Sequence, residues 1–188
     1  MSEKDPEIVQ AAGLMFFLFV AASTVLSLLL PNSAESYPPA MTMLADLVAA
    51  AVPSIDGFVS VSEFPVATKM FLAVQWLLVP GIAALISRYP ALIKPNQRTL
   101  QRFSRFKVCL LLIAVAVFFV IFPATMSVQP EDLVNSAGRS ARTIAHVSES
   151  RLWMGSIGSM VIFLAGLCIA LVIGYVRVLF FGPPLQRE

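Results

Sequence analysis

The sequence predicts an all-α membrane protein with four transmembrane helices, both termini on the cytoplasmic side and a short interfacial helix in the first external loop. Three observations predict it. The chain is 58% hydrophobic and 13% charged, with a mean hydropathy of +0.84, whereas a soluble domain carries about 25% charged residues. The apolar residues are blocked into runs, with no charge between Glu7 and Glu35, between Lys107 and Glu131, or between Arg151 and Arg177. Lys and Arg, finally, collect in one connection and are missing from another.

Spans are expected at residues 8–30, 65–87, 108–126 and 152–181, within a single polytopic domain covering residues 1–188. Each run meets the roughly 18-residue minimum for a helix that crosses a hydrocarbon core of about 30 Å. Strands are excluded as a reading. Residues 14–20 and 110–122 are apolar on every side, whereas barrel strands alternate, and an open strand leaves backbone groups unsatisfied in lipid.

The first span opens at Asp5-Pro6-Glu7, which offers an N-cap residue, proline at the first helical position and an acid in the first turn. It stops at Pro31. Its flank is acidic as well as basic and its apolar core is long, so a retained helix is expected, not a cleaved leader. The connection 31–64 holds Glu35, Asp46, Asp56 and Glu63 and no Lys or Arg. Within it, residues 39–52 read as a short surface helix with Met43, Leu44, Leu47, Val48 and Ala51 on one side.

The second span contains Pro80-Gly81, where a lost backbone bond should bend the helix. The connection after it carries Arg88, Lys94, Arg98, Arg102, Arg105 and Lys107 and no acid. Short loops rich in Lys and Arg stay in the cytoplasm, which places this loop inside and both termini with it. The third span has Pro123 near its end. The connection that follows mixes Glu131, Asp132 and Glu149 with Arg139, Arg142 and Arg151, and a helix is expected to start at Pro130 with Leu133, Ala137, Ala141 and Ile144 as its apolar side. The fourth span is stopped by Gly182-Pro183-Pro184.

Motifs that carry chemistry are few. The one histidine, His146, lies in the third connection, without the convergent ligands a metal site needs. Cys109 and Cys168 fall inside spans and read as buried thiols, since disulfides belong to oxidising aqueous compartments. No Cys-x-x-Cys, phosphate loop or nucleophile elbow occurs. No catalytic residue, cofactor or metal is expected.

Four groups of residues stand out. Lys69, one turn into the second span, is expected to snorkel to the interface or to pair with an acid such as Glu63. Gln75, deeper, needs a partner across a helix interface. Arg98, Arg102 and Arg105 share one face if the third helix extends backward, a topogenic and lipid-binding segment and no nucleic-acid surface. Gly155, Ser159, Gly166 and Ala170 form a small-residue face on the fourth span. Ile162 is read on the opposite, lipid-facing side.

The function expected from these features is a non-enzymatic accessory or assembly subunit of a larger complex in a bacterial inner membrane. Its partners would be membrane lipids and, through the fourth span, a membrane protein or a second copy. An immunity protein against a pore-forming toxin and a small channel or transporter are the alternatives. The absence of Asp and Glu from the spans disfavours the last.

Overall fold

A computed structural model describes residues 5–88, 105–125 and 149–181. Among the described residues all regular structure is helical. Helix α1 spans Asp5–Leu29 and ends just before Pro31, whose ring cannot continue it. A 3-10 turn, Ala34–Ser36, leads to α2, Pro39–Ala51, and α3, Ser54–Val61. Helix α4 is Pro65–Ser87 and opens on a proline at its first position, where the missing N–H costs nothing.

The third long helix has three parts: α5, Arg105–Ala116, a π turn, Val117–Ile121, and α6, Phe122–Thr125. The π turn precedes Pro123, whose ring would clash with the carbonyl four residues back, inside that turn; the wider ladder relieves the conflict. The fourth repeats the device: α7, Arg151–Trp153, a π turn, Met154–Gly158, and α8, Ser159–Phe181.

Helix α8 is the centre, in contact with α4 most extensively and with α1, α5 and the first π turn besides. The core joins Val79, Ile82, Ala83 and Ile86 of α4 to Ile162, Ala165 and Ala170 of α8. A second cluster joins Ala45, Val48 and Ala49 of α2 and Ile55 of α3 to Met70 and Ala73 of α4. Outside these clusters the long helices turn apolar side chains outward: Leu14, Phe17 and Leu18 on α1, Leu110, Leu111 and Ile113 on α5, Val161 and Leu164 on α8. A surface of this kind needs an apolar solvent.

Two helical stretches are long and apolar enough to cross a membrane, Pro65–Ser87 and Arg151–Arg177; the bent pair Pro39–Ala51 and Ser54–Val61 makes a third if counted as one broken span. The apolar stretches Gly13–Leu29 and Leu110–Thr125 are shorter. The described residues therefore carry two to three candidate spans, where the sequence suggests four.

Three further differences from the sequence reading have physical causes. Ile162 is buried, not lipid-facing: it stands three and four residues before Ala165 and Gly166 in the regular part of the helix, on the same face. Val48 turns inward with Ala45 and Ala49, while Met43, Leu44 and Leu47 face out, so α2 is apolar on two sides. Helix α3 is not anticipated, being only 8 residues long and holding Gly57. The expected helix from Pro130 and His146 lie outside the described residues.

The two glycines at the main interfaces differ from Gly81 in a way that can be measured. A Cβ at Gly166 would lie 2.6 Å from Ile82 Cγ2, 2.9 Å from Ile82 Cβ and 3.3 Å from the Val79 carbonyl, whereas at Gly81 it would meet nothing within 4 Å. Gly166→Leu should lower stability in detergent by about 1–3 kcal/mol through overpacking. Gly81→Ala should leave it unchanged or raise it by up to about 1 kcal/mol. Unfolding of both variants in mixed micelles checks the pair.

Candidate functional site

A set of buried polar side chains forms a seam between α1, α4 and the fourth long helix. Gln75 sits near the middle of α4 and is fully buried. Its Nε2 donates to Ser23 Oγ of α1 at 3.0 Å, and its Oε1 finds no partner among the described residues. One turn further along α1, buried Ser27 has its hydroxyl 2.7 Å from the Thr24 carbonyl and 2.8 Å from the Arg151 carbonyl. Its single proton bridges the two.

Arg151 ties the end of this seam. Its Nη1 donates to the Leu30 carbonyl at 2.7 Å and lies 3.4 Å from that of Leu28. Leu28 lies in the last turn of α1 and Leu30 just follows it, where carbonyls lack helical donors and the dipole is negative. The guanidinium carbon stands 4.6 Å from the Phe64 ring centroid, a cation–π distance. Its Nε is buried without a partner among the described residues.

Asn32 completes the junction. Its Oδ1 accepts from the Val66 and Ala67 N–H groups at 3.1 and 3.2 Å, capping the first turn of α4 from a residue far back in the chain, since Phe64 at the cap position makes no side-chain bond. The Tyr37 hydroxyl donates to the Pro31 carbonyl at 2.7 Å. Burial pushes the Tyr37 phenol above its ordinary range, and nearby Arg151 pulls it partly back.

The residues singled out from sequence fall in three places. Lys69 Nζ reaches Asp46 Oδ1 of α2 at 2.5 Å; Asp46, not Glu63, is the acid it meets. Both side chains are partly exposed, so the pair is worth about 0–1 kcal/mol. Gly155, Ser159, Gly166 and Ala170 are all buried within the chain. A Cβ at Gly155 would stand 2.3 Å from Ser27 Oγ and 2.7 Å from Thr24 Cα, and one at Gly166 would strike Ile82. Ser159 Oγ turns back to the Gly155 carbonyl at 2.5 Å. This face is therefore occupied by α1 and α4. Arg98 and Arg102 lie outside the described residues, as does the side chain of Arg105, which opens α5.

Comparison with protein-family models, with characterised proteins and with solved structures finds no match to this chain. The site must be read from its own chemistry. Among the described residues no three His, Cys, Asp or Glu side chains converge. What converges instead is the Ser27 hydroxyl and the Arg151 guanidinium on helix-end carbonyls, the Gln75 amide on the Ser23 hydroxyl, and the Asn32 amide oxygen on the N–H groups that open α4. Ser23, Ser27, Asn32 and Arg151 escape the sequence reading, although Ser23 and Ser27 stand four apart in an apolar run, the spacing of one helix face.

If the Gln75–Ser23 bond is purely structural, the double variant Gln75→Leu/Ser23→Ala should fall within about 1 kcal/mol of the native stability. Replacing both partners of a buried bond by apolar groups is nearly neutral, and the orphan Oε1 disappears with the amide. Gln75→Leu alone should behave similarly, as Ser23 can turn to its own helix. Loss of a cellular phenotype with stability intact would instead assign the pair a role beyond packing.

Proposed function

We propose that the chain crosses a bacterial inner membrane four times with both termini in the cytoplasm, and that it serves as a non-enzymatic accessory or assembly subunit of a larger membrane complex. The observation that carries this reading is the use of the buried polar groups. Gln75 meets Ser23, Ser27 meets a carbonyl of the fourth helix, and Arg151 meets the carbonyl end of α1. Each ties one helix to another. Such a molecule works through its surface.

The arrangement of ends supports four crossings. Helix α1 finishes beside the start of α7 and of α4, and α3 touches both α4 and α6. The long helices thus alternate in direction. Charge supports the orientation. The end where α4 begins holds Glu35, Asp46, Asp56 and Glu63, with Lys69 paired to Asp46 and Arg151 bound to carbonyls. Arg88, Lys107 and Arg177 stand at the other ends of their helices, the side that the positive-inside rule assigns to the cytoplasm.

Reporter fusions test the topology. Fusions at Asn96 and after Glu188 should read cytoplasmic, and insertions at Glu35 and Ser140 external; Glu35 is exposed, whereas Ser54 is buried and would be disrupted. An external signal at Asn96 overturns the orientation.

Co-purification from native membranes tests the assembly reading. Because Gly166 is used internally, a contact of the fourth helix with another protein falls to outward side chains such as Met160, Val161 and Leu164. Met160→Ala/Leu164→Ala should then reduce the co-eluting partner at unchanged membrane abundance, with a loss above about 1 kcal/mol if either is an anchor. A native chain that elutes alone as a homo-oligomer would favour the channel reading.

A further inference from the structure

The segment between α1 and α4 is apolar enough to be one broken span, yet its two ends are fixed at the same place. Asn32, at its beginning, caps Val66 and Ala67 at its end, and Tyr37 is bonded back to Pro31. A chain that leaves and returns to one end of the bundle has not crossed.

We propose that α2 and α3 form a re-entrant hairpin, with the outward face of α2 embedded in lipid acyl chains beside α4. The proposal rests on the reading of α4 and the fourth helix as transmembrane. Five observations carry it. The inner face of α2, Ala45, Val48 and Ala49, shares one buried cluster with Met70 and Ala73; at about 1.5 Å per residue these lie roughly 8 and 12 Å inside α4 from Pro65, well within a half-core of about 15 Å. The outer face presents Met43 at 75% and Leu47 at 68% exposure, continuing the apolar belt of the long helices. A water-facing helix would be polar there.

The turn between the arms also suits a dry environment. The helices meet at a bend of 112°, and three donors around it close within the chain: Val52 N–H to the Val48 carbonyl at 2.9 Å, Ile55 to Val52 at 3.0 Å and Gly57 to Pro53 at 3.4 Å. Pro53 has no N–H to satisfy. Backbone that departs from helix within a membrane must be closed in this way. The charge on α2, Asp46, is paired with Lys69, which suits the border of the headgroups. Helix α3 turns Asp56 and Ser60 outward, as the arm that returns to the surface.

Site-directed nitroxide labels in vesicles decide the matter. In a background of Cys109→Ser and Cys168→Ala, single variants Met43→Cys, Leu47→Cys, Leu164→Cys and Glu63→Cys are labelled, and collisions with oxygen and with a neutral nickel chelate are compared. All four positions are outward, so the labels need not disturb packing. The oxygen-to-nickel ratio at 43 and 47 should match that at 164 and exceed that at 63 several-fold. Water-like ratios at 43 and 47 with a lipid-like ratio at 164 overturn the hairpin alone. Immobile labels shielded from both reagents mean that protein, not lipid, covers α2, and also overturn it. A water-like ratio at 164 sinks the transmembrane reading beneath it.

Discussion

Helix α1 and the fourth helix approach closely at Gly155, where a Cβ would stand 2.7 Å from Thr24 Cα, and the polar junction beside it depends on that approach. With no Cβ at that position, Ser27 and Thr24 come within a distance that a single methyl would forbid. In lipid no hydrophobic effect drives helices together, so dispersion and interhelical bonds must do so, and both depend steeply on distance. The Ser27 bond to the Arg151 carbonyl exists because Gly155 permits it. The π turn at Met154–Gly158 falls at the same contact, a place where such turns adapt one helix to the surface of another.

Arg151 follows from that approach. A cation in the first turn of its own helix is badly placed, because the dipole there is positive. Set against the last turn of an antiparallel neighbour, the same cation meets carbonyls that lack donors. Its bond to Leu30 at 2.7 Å and its position over Phe64 convert an unfavourable residue into a tie between three helices. Asn32 does the converse for α4, supplying an acceptor to unpaired N–H groups. The two side chains complete opposite helix ends at one junction.

The helices were legible in the sequence because charge-free runs and prolines mark them. Pro65–Ser87 coincides with the expected second span, and α2 differs from its expected range by one residue. The small-residue face was legible as a pattern, but not its neighbour: spacing shows that backbones can approach, not whose. Asp46 was legible as an acid in a loop rich in acids, and only the docking of α2 on α4 selects it over Glu63 for Lys69. Arg151 was read as one of several loop cations. Its role depends on the register between α1 and the fourth helix, which no local pattern encodes. The fate of Ile162 was legible and misread, since the period of the helix returns it to the buried face.

The internal use of the small-residue face bears on how an assembly subunit of this kind would recognise a partner. The outward belt is made of Leu, Ile, Val, Phe and Met, side chains that lipid solvates as well as a protein would. Such a belt gives contact area but little discrimination, because the alternative state is already apolar. Specificity then falls to groups that lipid cannot satisfy. Among the described residues such groups at the helix ends include Glu35, Asp56 and Glu63 around the hairpin, and Arg88 and Arg177 opposite. Charge at such ends sets orientation and register and discourages wrong pairings. On the assembly reading, the belt holds the chain in the bilayer while its two charged ends select what sits beside it.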